Sequence, residues 1–151
     1  MNSNEIENYR REQLDAINYY RQLHGVPSLL LDNKITRDAQ AWADHLARIG
    51  QLVHSNTNYG ENLASGYPLS HVNPATLWYS GVSRINFSNV ERSTDCLHFT
   101  QIVWKSSKKI GIGISRSSNT GKYYIVANFD PAGNMRGSFA ENVPSPLNTN
   151  F

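Results

Sequence analysis

The hydrophobic pattern of this 151-residue chain changes period once: apolar residues recur every three to four positions up to Gly50 and alternate beyond Lys109. A helix-period pattern does not settle as a strand, so the chain is confined to folds that combine amphipathic helices with a sheet. Ile6, Tyr9, Leu14, Ile17, Tyr20 and Leu23 predict a helix over residues 3–24, stopped by Gly25 and Val26-Pro27. Asp32 is placed to cap a second helix whose stripe is Ile35, Ala39, Trp42, Ala43, Leu46 and Ile49, ending at Gly50. Past Lys109, the runs IGIGIS and YYIVANF flank a turn rich in Ser, Asn and Gly and predict a β-hairpin. The fold class is α+β.

Between these anchors the pattern is weaker. Residues 51–71 lose periodicity and gain Asn, Ser and Gly, which predicts an ordered loop or a set of short elements carrying polar side chains. Asn73-Pro74 supplies an N-cap and a first-turn proline for a short helix through Leu77, Trp78 and Val82. Segment 86–95 reads as turns, and Ser93, Thr94 or Asp95 is positioned to cap a helical HFTQIVW at 98–104. The tail from Pro131 lacks either period and is expected to wrap the surface.

One domain accounts for the length, with a core over about 6–144 and a tail at 145–151. Cys96 is the single cysteine, so an intrachain disulfide and a multi-thiolate metal site are both excluded, which points to a reducing compartment. The N-terminal MNSNEIENYRREQ has neither an apolar signal region nor a myristoylation glycine, so a cytoplasmic location is expected, peripheral on a membrane or free of it; the alternative is extracellular, after loss of a signal peptide or by unconventional export. Fourteen basic and twelve acidic residues give +2, too mild a balance for a nucleic-acid binder.

Among five histidines, His54 and His98 stand at the edges of apolar elements with polar neighbours, and Glu61 follows His54 by seven residues. Two imidazoles and a carboxylate would suit zinc or another divalent ion completed by water; the structural alternative is that each histidine is hydrogen-bonded within the fold. Cys96 and His98 do not form a nucleophile pair on a helix, because positions i and i+2 point apart. Lys105, Lys108, Lys109, Arg116 and Lys122 give segment 96–129 five positive charges and no negative one, a surface for an anionic partner or else an ordinary solvated hairpin edge.

Taken together, NYYRQLHGVPSLLLD, His54 followed by GENLASG, LWYSGVSRINF, HFTQIVWKSSKKIGIG and YYIVANFDPAGN resemble the CAP superfamily of cysteine-rich secretory, antigen 5 and pathogenesis-related 1 proteins. Within it the chain is most similar to the small, non-secreted, Golgi-associated plant pathogenesis-related type. The resemblance implies a three-layer α-β-α sandwich with a central, largely antiparallel sheet. It also implies a cavity of two histidines and two glutamates, falling on His54, Glu61 and His98, with the second glutamate replaced by Gly81 in WYSG. Zinc binding is therefore expected to be weaker, water-completed or absent. Leu97 replaces a small or polar residue and is expected to alter access to the cavity, while Ala127 and Phe129 stand where a cysteine and a tyrosine are usual.

The resemblance implies a non-enzymatic binding domain for lipids, sterols or anionic membrane surfaces. A protein-interaction or dimerising domain with a vestigial cavity is one alternative, with its interface around Trp104, Tyr123 or the tail. A hydrolase with Glu61 as base and His54 or His98 as ligand or acid is the other.

Overall fold

The computed structural model describes residues 1–92 and 95–147. Four strands form one sheet in the order β1-β3-β4-β2: β1 (Leu30–Leu31), β2 (Gly60–Gly66), β3 (Lys109–Arg116) and β4 (Tyr123–Asp130). Only the two-residue β1 runs parallel to its neighbour, β3; β3–β4 and β4–β2 are antiparallel. Helix α2 (Asn33–Ile49) covers one face, and α1 (Ser3–Leu23), α3 (Pro74–Tyr79) and α4 (Leu97–Val103) cover the other. The expected three-layer α-β-α sandwich is the observed one.

Strand alternation sorts the two faces. Ile110, Ile112 and Ile114 of β3 join Ile125, Ala127 and Phe129 of β4 in the larger core, with Ile17, Trp78, Phe99 and Ile102 from the helices above. Tyr124, Val126 and Leu63 meet Ala39, Ala43 and Leu46 of α2 on the opposite face. The intervening glycines of IGIGI serve this second layer: a Cβ on Gly111 would lie 2.2 Å from the backbone of Ile35, and one on Gly113 2.5 Å from the backbone of Ala39. Helix α2 rests directly on bare strand backbone.

Both long helices begin and end as their sequences predict. Asn2 and Glu5 form a reciprocal capping box on α1, Asp32 Oδ1 accepts from Ile35 N–H at 2.9 Å on α2, and Gly25 and Gly50 terminate them at φ near 70°. The buried line of α1 is Tyr9, Gln13, Ile17 and Arg21, whereas Leu23 is 37% exposed. Hydrophobicity alone therefore misplaced the centre of the stripe, because two polar side chains are buried with partners.

Arg21 explains why. Its fully buried guanidinium donates to the carbonyls of Pro27, Ile102, Trp104 and Ser107, over 2.7–3.2 Å. Two of these belong to the end of α4, where carbonyls lack intrahelical donors, so a cation from α1 satisfies them. Burial lowers the Arg21 pKa to about 10, which leaves it charged at neutral pH.

Other expectations are corrected. Residues 60–66, expected within an ordered loop or a set of short elements, form the strand β2, because β4 offers a continuous ladder to pair with. Asn73 occupies the N-cap of α3 without a side-chain cap bond, and α3 stops at Tyr79, followed by a 3-10 turn Ser80–Arg84. Asp95 does not cap α4: Cys96 is the N-cap residue and makes no side-chain cap bond, while Ser93 and Thr94 lie outside the described residues. The tail contributes to the core through Phe139 and Val143, with α5 (Phe139–Asn142) inside it. Trp104, expected at an interface, is 2% exposed and meets Phe139 edge-on at 5.1 Å.

Candidate functional site

Strand β2 delivers Glu61 opposite Asn128 of β4, with its side chain 5% exposed. The carboxylate accepts from the Ser55 N–H at 2.9 Å and from the Ser55 hydroxyl, and His54 Nδ1 lies 2.7 Å from Oε1. A buried carboxylate needs such donors. Its three contacts come from two adjacent residues, so the HS…GE spacing closes the 54–61 loop onto the sheet. The His54 side chain itself is 66% exposed.

His98 sits in the first turn of α4. Its carbonyl accepts from Asn62 Nδ2 at 3.1 Å, and its ring lies 6.4 Å from that of Trp78. Trp78 is held in turn by an Nε1–H bond to the Leu63 carbonyl at 3.0 Å, so β2, α3 and α4 position one another here. Partial desolvation, and then repulsion from a charged His54, keep the His98 imidazole below its ordinary pKa of 6.5.

Gly81 lies in the 3-10 turn after α3. A Cβ there would be 3.2 Å from Cys96 Cβ and 3.3 Å from Phe99 Cβ, so α4 has closed over this position. Gly81, Leu97 and His98 line a small cleft of about 60 Å³, to which neither His54 nor Glu61 contributes. Glu61 thus holds His54 and Ser55, while Gly81 and His98 share the lining of the small cleft. Leu97 lines this cleft and is 44% exposed.

These residues do not make a zinc site as they stand. A tetrahedral site needs three protein ligands plus water, or four. Among the described residues no three His, Cys, Asp or Glu side chains gather closely enough to hold an ion. Glu61 is already bonded by three donors, and position 81 has no side chain to offer.

The five cations are all exposed but do not form one patch. Lys105, Lys108 and Lys109 sit between α4 and the start of β3, and Arg116 and Lys122 sit at the hairpin tip, about 23 Å away along β3 at strand rise. Lys109 Nζ lies 3.8 Å from Asp32 Oδ2, an acidic neighbour from another part of the chain. Lys105 and Lys108 make no ion pair among the described residues.

His24, not singled out in the sequence, is a further well-connected imidazole. It is 1% exposed, with Nδ1 2.8 Å from the Pro144 carbonyl and Nε2 2.7 Å from the Tyr79 hydroxyl. A carbonyl only accepts, so Nδ1 carries the proton and Tyr79 donates to Nε2. Burial holds its pKa below 6.5, against the bond to Pro144. The Gly25 stop signal behind it is visible in the sequence, but its partners lie 55 and 120 residues away.

Layer order, the GENLASG strand and the HFTQIVW helix define the CAP fold, and the chain belongs to the CAP family: the profile of the cysteine-rich secretory protein family matches residues 14–129. Among its relatives, the Golgi-associated plant pathogenesis-related protein 1 of Homo sapiens is 38% identical over 153 residues, covering 97% of this chain and 99% of the relative. Secreted protein RBT4 of Candida albicans is also 38% identical, over 91% of this chain but 41% of its own length. The structure of NaASP2 with Zn2+ superposes with a TM-score of 0.70 at 18% identity, over 90% of this chain and 86% of that one, and shares the fold.

Proposed function

We propose that this CAP domain is a non-catalytic binding module that engages lipid, sterol or anionic membrane surfaces. The observation that carries the reading is the α4–β3 corner. Exposed Lys105 and Lys108 have no anionic partner among the described residues, and Leu30, 71% exposed, pairs with Lys109 across β1 and β3. Beside them an open cleft of about 670 Å³ is lined by Pro27, Lys105 and the exposed Met135. Cations flanking exposed apolar side chains favour a peripheral mode of association, and no helix among the described residues is long and apolar enough to cross a membrane.

The non-catalytic part of the reading is supported by Glu61, whose oxygens are taken up in closing its own loop rather than left for a water or a substrate proton. A reducing compartment fits the buried, unpaired thiol of Cys96.

Vesicle flotation tests the surface. Binding to phosphatidylcholine vesicles containing phosphatidylserine should exceed binding to phosphatidylcholine alone and fall as salt rises. With about 1 kcal/mol per basic residue near an anionic bilayer, reversing Lys105, Lys108 and Lys109 to Glu should abolish most of it. Equal flotation of the triple variant would refute the assigned surface. Hydrolysis of a peptide and ester panel that is lost in Glu61→Gln would restore the enzymatic reading.

A further inference from the structure

Strand β3 pairs with β4 along the whole of one edge, but on the other edge β1 covers only Lys109 and Ile110 before Asp32 turns the chain into α2. Outward backbone groups fall at alternate residues. The carbonyls of Lys108 and Ile110 accept from the N–H groups of Leu30 and Asp32, so Ile112, Ile114 and Arg116 present the next ones in the row. On a strand as apolar as KIGIGISR, with no proline, such a row is a template for a further strand.

Two side chains occupy that row instead. Gln40 of α2 accepts the Ile114 N–H on Oε1 at 3.0 Å and donates from Nε2 to the Ile114 carbonyl at 2.8 Å, reproducing the paired contact of an antiparallel strand. Arg10 of α1 donates from Nε to the Ile112 carbonyl and from Nη2 to Gln40 Oε1, both at 2.8 Å. Because α1 and α2 cover opposite faces of the sheet, these side chains meet around its edge. Each is held from behind: Glu7 accepts from Arg10 Nη1 at 2.6 Å, and Asp44 accepts from Gln40 Nε2 at 3.0 Å. Gln40 thereby uses all four hydrogen-bonding positions of its amide. Packing two helices onto a sheet needs apolar contact with its faces, not a backbone-like pair at its rim. The pair satisfies the strand and, in doing so, denies it to another.

We infer that the outer edge of β3 is a strand-pairing surface for a second copy of this chain, kept closed in the folded domain by Arg10 and Gln40. The second copy is selected by the edge itself, since β3 matches its own inverted copy. Two antiparallel β3 edges centred on Ile114 set Ile114 opposite Ile114 and Ile112 opposite Arg116, so every outward residue meets an outward residue across a two-fold axis. Releasing the two side chains opens this edge and leaves the β3–β4 ladder untouched. The surface is separate from the basic corner proposed to meet membranes, so either can fail without the other.

Sedimentation of the full chain over a range of protein concentrations is the test. Arg10→Ala combined with Gln40→Ala should raise the sedimenting mass to twice that of the parent as concentration rises, and should slow hydrogen exchange at the Arg116 amide. Adding Arg116→Pro removes one outward N–H without touching the β4 ladder, and it should return the mass to the parent's. Gln40→Ala alone is a helix-favouring change at a half-buried position that keeps the Arg10 bond to Ile112; it should show the same rise at higher concentration, and it serves if the double variant does not fold. A folded variant that keeps the parent's mass into the millimolar range, or a rise that survives Arg116→Pro, would overturn the assignment.

Discussion

Replacing Gly113 by alanine adds one methyl group where the backbone of α2 leaves no room for it. The new Cβ would lie 2.5 Å from the carbonyl carbon and oxygen of Ala39 and from the nitrogen of Gln40, against ordinary contacts of 3.4 Å or more. These are backbone atoms of α2, so no rotamer change relieves the clash and the helix must retreat by roughly 0.9 Å. A gap of about 0.5–1 Å forfeits a quarter to a half of each contact it opens, and it would open across Ala39, Ala43 and Leu46 over Val126 and Leu63. Overpacking of this kind costs about 1–3 kcal/mol, and the upper end applies because a whole layer moves. The reduced backbone entropy of alanine offsets about 0.5–1 kcal/mol. A net loss of about 2 kcal/mol corresponds to a fall in Tm of roughly 4–8 °C for a domain of this size. Thermal and urea unfolding, followed by circular dichroism and tryptophan fluorescence, measure it. Gly81→Ala is the internal control: its Cβ would meet only the side chains of Cys96 and Phe99, at 3.2–3.4 Å, and should cost less than about 1 kcal/mol. A Gly113→Ala protein melting within about 1 °C of the parent, or a Gly81→Ala protein that loses as much, would refute the close-approach account.

Three further outcomes follow from buried or paired groups. His24 and His98 both have folded-state pKa values below 6.5, so the unfolded chain binds more protons just below that pH; stability should be full above pH 6.5, fall as pH drops towards the folded values, and lose part of that slope in His24→Gln, as read by urea melts across pH 5–7.5. Arg21→Met leaves four carbonyls without their donor and should destabilise the domain by about 3 kcal/mol in the same melts, with a loss under about 1 kcal/mol counting against the role assigned to this side chain. Calorimetric zinc titration at neutral pH should show no binding tighter than about 10 μM, since no three-ligand group gathers; submicromolar binding lost in the His54→Ala, His98→Ala double variant would reinstate the two-histidine centre.

Legibility in the sequence tracked how local each determinant was. The caps at Asp32, Gly25 and Gly50 act within one helical turn of the residues they stop or start, and each is where the sequence put it. The hairpin was readable for the same reason, its strands being joined by a turn closed through Ser117 and Lys122 at 2.8 Å. Strand β2 was not, because GENLASG has little strand character of its own and acquires it from pairing with β4, some sixty residues away. The site divides likewise. The His54–Glu61 contact spans seven residues and was visible as spacing, whereas the lining of a separate cleft by His98 and Gly81 depends on how α3 and α4 pack.

By itself, then, the change from helical to alternating period determined an α+β domain, and the order of its short motifs determined its family. Only the tertiary structure decided that the glycines of IGIGI are seats for α2, that Arg21 ties α1 to the end of α4, that the basic residues of the 96–129 segment fall at two ends of a strand, and that Arg10 and Gln40 meet at the outer edge of β3. The physical reason is common to all four. A backbone seat, a buried cation, a shared surface and a closed edge are relations between residues far apart in the chain, and no local propensity encodes the distance between them.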